Sequence, residues 1–174
     1  MSVIDEFEEA RDDLEALLLE VLGSLLGADE VASSAGEPIG PGPVLESRLV
    51  IHDRADDSYT VVEVETALMV GRVIAARLMR VADPSPEDLL DVVSELGNII
   101  AGNVKSLIRH SCRLSLPTAN VVQSASGAGE HGVRVSASVL GQVIQLTVRP
   151  ALPQEPVSGV SWPGSYDDVL ETQS

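Results

Sequence analysis

The chain has 174 residues and a formal net charge of −16, with 11 Lys+Arg against 27 Asp+Glu, which argues against a nucleic-acid partner because that role needs a basic surface. Hydrophobic residues make up 44% and aromatics 2%, so one domain with a core of Val, Leu, Ile and Ala is expected. The single cysteine, Cys112, excludes a disulfide framework or a cysteine-based zinc cluster, and no apolar run nears the ~18 residues of a membrane span; both fit a soluble, cytoplasmic protein with no membrane partner.

Residues 3–26 predict a helix, with Leu14, Leu17, Leu18, Val21, Leu22 and Leu25 at helical spacing and Asp5, Glu6, Glu8 and Glu9 complementing the N-terminal dipole. Its polar face is acidic, which argues against anionic lipid and leaves packing on its own sheet as the expectation. "AGEPIGPGP" (35–43) is a connector. "VLESRLVIH" (44–52) and "SYTVVEVET" (58–66) read as two strands joined by the turn "DRADD", an antiparallel hairpin. A second helix follows over 67–82. "DPSPEDLL" then restarts a helix over 86–109, with Ser85 as cap and Pro86 in the first helical position. "CRLSLPTANVVQ" (112–123) reads as an edge strand, or two short ones around Pro117. Residues 132–140 and 142–150 form a second hairpin around Gly141. From Ala151 the chain turns to Pro, Gly, Ser and acid and reads as a loosely ordered tail. The organisation expected is one α+β domain over 1–150, an antiparallel sheet packed against long helices, followed by an acidic tail over 151–174.

The helix over 86–109 contains "SELGNIIAGN" (94–103), with two glycines and two asparagines where a helix gains little from either. On a wheel of about 100° per residue with Asp91 at zero, Glu95 falls near +40°, Asn98 near −20°, Gly102 near +20° and Lys105 near −40°. These five form one outward stripe, opposite Val93, Leu96, Ile100, Val104 and Leu107. Gly102 leaves a gap in that stripe through which another molecule can approach the helix. Asn103, near 120° by the same count, leans toward the core and is expected to be structural, tying the helix to a neighbouring loop or strand. Gly97 lies at the edge of the buried face and is expected to permit close packing of another element.

"DVVSELGNIIAGNVKSL" resembles the signature helix of the CheX/CheC/FliY chemotaxis phosphatases: an acid or serine, then Glu-x-x-Asn, then Gly-Asn one turn later. Asp91, Glu95, Asn98, Gly102 and Asn103 hold those places, and "LSLPTANVV" resembles the strand with its proline that follows. Only one Glu-x-x-Asn helix is present, as in the CheX branch. The connector and the tail have no counterpart, and the first hairpin lacks a glycine-rich turn. The resemblance implies a CheC/CheX-like fold and an enzyme that removes phosphate from the aspartyl phosphate of a CheY-like receiver domain. It implies catalytic roles for Glu95 and Asn98 and partner contacts at Asp91, Gly102 and Lys105. Asn98 would position the attacking water, and Glu95 would pair with the partner's lysine. The protein would need no cofactor of its own, since the receiver domain supplies Mg²⁺. It also implies a homodimer through the strands over 112–150.

Two other readings stand beside this one. One is a non-catalytic adaptor of the same fold that binds a receiver domain or a flagellar switch component. The other is an assembly protein whose stripe is a homodimer contact. His52, His110 and His131 show no paired spacing and no clear acid partner, so no metal or catalytic role is expected of them. Cys112, near Arg109 and Arg113, reads as an ordinary strand-start residue. Trp162, Tyr166, Asp167, Asp168 and Glu171 leave two readings of the tail, a short docking peptide that orders on a partner and, as the expectation, a disordered tail with chance aromatics.

Overall fold

The computed structural model describes residues 3–109, 111–126, 132–153 and 155. Among these residues four α-helices, α1 (Val3–Glu9), α2 (Arg11–Leu26), α3 (Leu68–Met79) and α4 (Pro86–Ser106), and a 3-10 turn (Ala28–Glu30) accompany seven strands. The strands are β1 (Val31–Ser33), β2 (Val44–Asp53), β3 (Ser58–Ala67), β4 (Cys112–Leu114), β5 (Thr118–Val122), β6 (Val133–Val139) and β7 (Gln142–Pro150). They form one antiparallel sheet in the order β1-β6-β7-β3-β2, with β4 and β5 both on the outer edge of β2. The fold is therefore the expected α+β arrangement of antiparallel sheet against helices.

Alternation along the strands sorts the sheet into two faces. Leu45, Ser47, Leu49 and Ile51 of β2 stand opposite Thr66, Val64, Val62 and Thr60 of β3. The row continues through Ile144, Leu146 and Val148 of β7 to Ala137, Val135 and Val133 of β6. Leu14, Leu18 and Leu22 of α2 and Leu96, Ile100 and Val104 of α4 join this row in one core. Each such aliphatic side chain contributes about 1.5–3 kcal/mol when fully buried.

The other face is polar, yet Glu63 and Glu65 of β3 are buried on it. Both carboxylates are paired, as buried charges must be. Arg149 Nη2 donates to Glu63 Oε1 at 2.7 Å. The Ser126 backbone N–H and hydroxyl both donate to Glu65 Oε1 at 2.6 Å, and Gln145 Nε2 donates to Glu65 Oε2 at 3.2 Å. Arg149 also donates to both oxygens of Glu155, at 2.6 and 2.8 Å. Glu155 belongs to the stretch expected to be a loosely ordered tail, and its described part is bonded to the sheet. The Ala151 N–H donates to the Tyr59 carbonyl at 2.9 Å, and Glu155 is held against the sheet by Arg149 and by Arg48 at 3.3 Å. Residues 156–174, with Trp162, Tyr166, Asp167, Asp168 and Glu171, lie outside the described residues.

Other boundaries also differ from the sequence reading. The helix over 3–26 breaks at Ala10, whose backbone (φ −94°, ψ 21°) leaves the helical region, giving α1 and α2. The second helix runs only to Met79 and ends on Arg80 in the left-handed region (φ 58°). The third stops at Ser106, short of Arg109. Strand β1, paired with β6, lies in a stretch to which no element was assigned. Around Pro117 the two-strand alternative holds: Ser115 lies between β4 and β5 and stays bonded to β2, its N–H donating to the Val50 carbonyl and its hydroxyl accepting from the Val50 N–H, both at 2.9 Å. Of the strands over 112–150, β6 and β7 are flanked on both sides, so only β4 and β5 offer an edge to a second copy.

Candidate functional site

The candidate site is carried by α4, and its local sequence explains why the helix starts firmly. Ser85 Oγ accepts from the Asp88 N–H at 3.2 Å, and Asp88 Oδ2 accepts from the Ser85 N–H at 2.7 Å, a complete capping box with Pro86 just inside. Leu89, Val93, Leu96, Gly97, Ile100, Ala101 and Val104 are buried. This fixes the rotation of the helix and with it the direction of the stripe.

Asp91, Glu95, Asn98 and Gly102 are exposed, and Lys105 is half-buried on the same side. Glu95 and Asn98 are at i and i+3, so their side chains are neighbours. Neither side chain makes a hydrogen bond or ion pair among the described residues. A Cβ built on Gly102 meets nothing within 4 Å, so the helix backbone there is open to an approaching molecule. Gly97 is the opposite case: a Cβ there would lie 2.0 Å from Ser47 Oγ. The expected close packing at Gly97 is therefore present, against β2.

Asn103 departs from its expected place. It is exposed, and its Nδ2 donates to the Ile99 carbonyl of its own helix at 2.8 Å rather than to a neighbouring loop or strand. The buried residues of α4 centre on the Gly97–Val104 side, about 30° beyond the opposite of Asp91, which leaves Asn103 outside the covered arc.

The remaining candidates separate as well. His52 does have an acid partner, with Nε2 at 2.7 Å from Asp57 Oδ1, and its ring stacks on Tyr59 at 4.6 Å. The turn "DRADD" brings Asp57 back against the strand, which spacing in the sequence did not reveal. His110 and His131 lie outside the described residues. Cys112 is the buried first residue of β4, and burial, with Asp53 nearby, pushes its thiol pKa up rather than down. Among the described residues no group of His, Cys, Asp or Glu is arranged to hold a metal ion, and no helix is long and apolar enough to cross a membrane. Two surface cavities, of about 250 Å³ beside Glu6, Asp13 and Arg109 and about 350 Å³ beside Met69, Val73 and Leu140, include no stripe residue.

Residues 59–134, from β3 through α4 into β6, match the family model described as "Chemotaxis phosphatase CheX". Residues 59–134 are thus similar to the CheX family, and the fold agrees with that likeness. The fold is similar to chemotaxis protein CheX from Vibrio vulnificus, at 13% identity over 80% of this chain and 95% of that one, with a TM-score of 0.63. It is similar to a chain of the CheX-CheY-BeF3-Mg+2 complex from Borrelia burgdorferi, at 15% identity over 87% and 99%, with a TM-score of 0.60. A chemotactic CheC-like protein from Shewanella oneidensis gives 12% identity over 84% and 98% and a TM-score of 0.57. At these identities the likeness is one of fold. A search of the curated proteins gives no significant match. The CheX match includes all of α4, and so every residue of the stripe. Ser47, beneath α4, lies outside it and was not singled out from the sequence, although a lone hydroxyl in the row Leu45, Ser47, Leu49, Ile51 was a visible signal.

Proposed function

We propose that the protein is a phosphatase of aspartyl-phosphorylated, CheY-like receiver domains, with Glu95 and Asn98 as its working residues. The observation that carries this reading is an acid and a carboxamide side by side on a rigid helix, both exposed and unengaged, beside the bare backbone of Gly102. The match of residues 59–134 to a family model described as a chemotaxis phosphatase supports it, as does the complex that a protein of similar fold forms with CheY, BeF3 and Mg²⁺.

The reaction needs water to attack phosphorus in line as the bond to the aspartyl oxygen breaks, returning a carboxylate and inorganic phosphate. Charge on the phosphoryl group is neutralised by Mg²⁺ and lysine of the receiver domain. Asn98 supplies position: its carboxamide donates and accepts, so it can hold a water by both kinds of bond. Glu95 pairs with the partner's lysine, a charge-assisted contact that offsets the repulsion between a carboxylate and a phosphoryl group. Asp91 and Lys105 contact the partner at the two ends of the stripe, and Gly102 lets it come close.

The test is phosphate release from each phosphorylated receiver domain of the source organism, with and without the protein. Wild type accelerates release from at least one; Asn98→Ala still binds that domain without accelerating it. If wild type binds a receiver domain and accelerates none, the protein is an adaptor and the enzymatic reading fails.

A further inference from the structure

We propose that Gly97 and Ser47 form a seat that sets the height of α4 over β2 directly behind the Glu95–Asn98 pair, and that Gly97 is thereby a positioning residue for Asn98. The inference rests on the phosphatase reading above. A Cβ on Gly97 would stand 2.0 Å from Ser47 Oγ, 2.6 Å from Ser47 Cβ and 3.3 Å from Leu49 Cδ1. Carbon atoms pack best at about 3.5–4.0 Å, so a methyl group there cannot be absorbed without movement. Ser47 cannot swing clear as a long side chain would, because its Cβ is fixed to the strand and the residue is fully buried.

Ser47 earns its place by size. It is the one small side chain in the row Leu45, Ser47, Leu49, Ile51 of β2. Its hydroxyl finds no hydrogen-bond partner among the described residues, so bonding does not explain it. A glycine on the helix over a serine on the strand leaves less bulk between them than any pairing of larger residues. Leu96 and Ile100, buried on either side of Gly97, pin the helix to the core. Added bulk at 97 therefore bows α4 outward locally, and Asn98 is the next residue. Asp91 and Lys105, more than a turn away on either side, keep their positions. A partner docked on those ends then meets a misplaced Asn98. Displacement of a positioning group by about 1 Å can cost ~100-fold in rate.

The experiment compares full-length wild type, Gly97→Ala, Ser47→Gly and the double variant, measuring phosphate release against receiver-domain concentration. Gly97→Ala lowers kcat by about tenfold or more while KM stays within about twofold. The double variant, in which the space lost at 97 is returned at 47, has a kcat within about threefold of Ser47→Gly alone. A helix weakened only in stability would not split kcat from KM at equal folded protein, which far-ultraviolet circular dichroism verifies. Wild-type kinetics in Gly97→Ala, an equal loss in kcat and affinity, or a folded double variant no better than Gly97→Ala overturns the seat while leaving the phosphatase reading intact. Inactive wild type overturns both.

Discussion

Asn103 donates its carboxamide N–H to the Ile99 carbonyl at 2.8 Å, so this asparagine is engaged by its own helix while Asn98 is not. The two residues have the same chemistry, and geometry alone separates them. Asn98→Ala is expected to reduce the acceleration of phosphate release by about 100-fold or more, with binding little changed. Asn103→Ala should leave the rate within about threefold and stability within about 0.5 kcal/mol, since a lost back-bond is offset by alanine's better helix propensity. Phosphate-release kinetics and urea unfolding measure both. Equal losses in rate would mean that the pair acts as a unit and that Asn103 touches the partner.

Glu95 is expected to act in binding as well as in rate. A hydrogen bond to a charged group contributes about 1.5–3 kcal/mol, so Glu95→Ala should weaken association by roughly tenfold to a hundredfold. The loss should appear in both KM and kcat, unlike that of Asn98→Ala. Because the protein carries a net charge of −16, its attraction to a lysine-bearing face is also long-ranged. Raising ionic strength from about 0.05 to 0.3 M should slow association of wild type and change dissociation much less. Association that is indifferent to salt would rule out Glu95 and the acidic face of α4 as the steering element.

The start of α4 is built to hold the stripe still. The Ser85–Asp88 box satisfies two backbone N–H groups that the first turn would otherwise leave open. Ser85→Ala should cost about 1 kcal/mol in urea unfolding. Asp91, in the second turn, would lose order before Asn98 does, so affinity should fall more than kcat. A variant with unchanged stability would show that core packing of Leu89 and Val93 alone holds the first turn.

Much of α4 was legible because its determinants are local: a capping sequence, an apolar period and a polar stripe, all within one element. Asn103 was misplaced because a wheel centred on the apolar residues ignores glycine and alanine. Gly97 and Ala101 are buried, and they turn the covered arc away from Asn103. The break at Ala10 has no proline or glycine to announce it. Strand β1 is three residues long and depends on pairing with β6, more than a hundred residues away in the chain. The polar face of the sheet was least legible. Glu63 reads as the solvent position of an alternating strand, and only the fold reveals Arg149, 86 residues on, as its partner.

That polar face predicts an acid-sensitive step. Arg149 donates to both oxygens of Glu155 and, with help from the Leu152 N–H, pulls the carboxyl down to about 2 from its ordinary 4.5, against the opposing effect of burial. A carboxyl depressed in the folded state binds fewer protons folded than unfolded. Its contribution is whole above pH 4.5 and drains away as pH falls toward 2. At face value the shift is worth about 3 kcal/mol, and solvent screening of this half-buried pair reduces that to about 1. Glu46 works in the opposite sense: burial, then Glu63 and Glu65, raise its pKa, so it favours folding when protonated and offsets part of the acid loss. Glu155→Gln should therefore flatten the stability profile between about pH 5 and 2.5 relative to wild type, by about 1 kcal/mol across that window. Arg149→Ala should cost more at neutral pH, about 3 kcal/mol or above, because it leaves the buried Glu63 carboxylate without its closest cation. Urea unfolding across pH checks both, and parallel profiles for wild type and Glu155→Gln would show that the chain beyond β7 is not held by this pair.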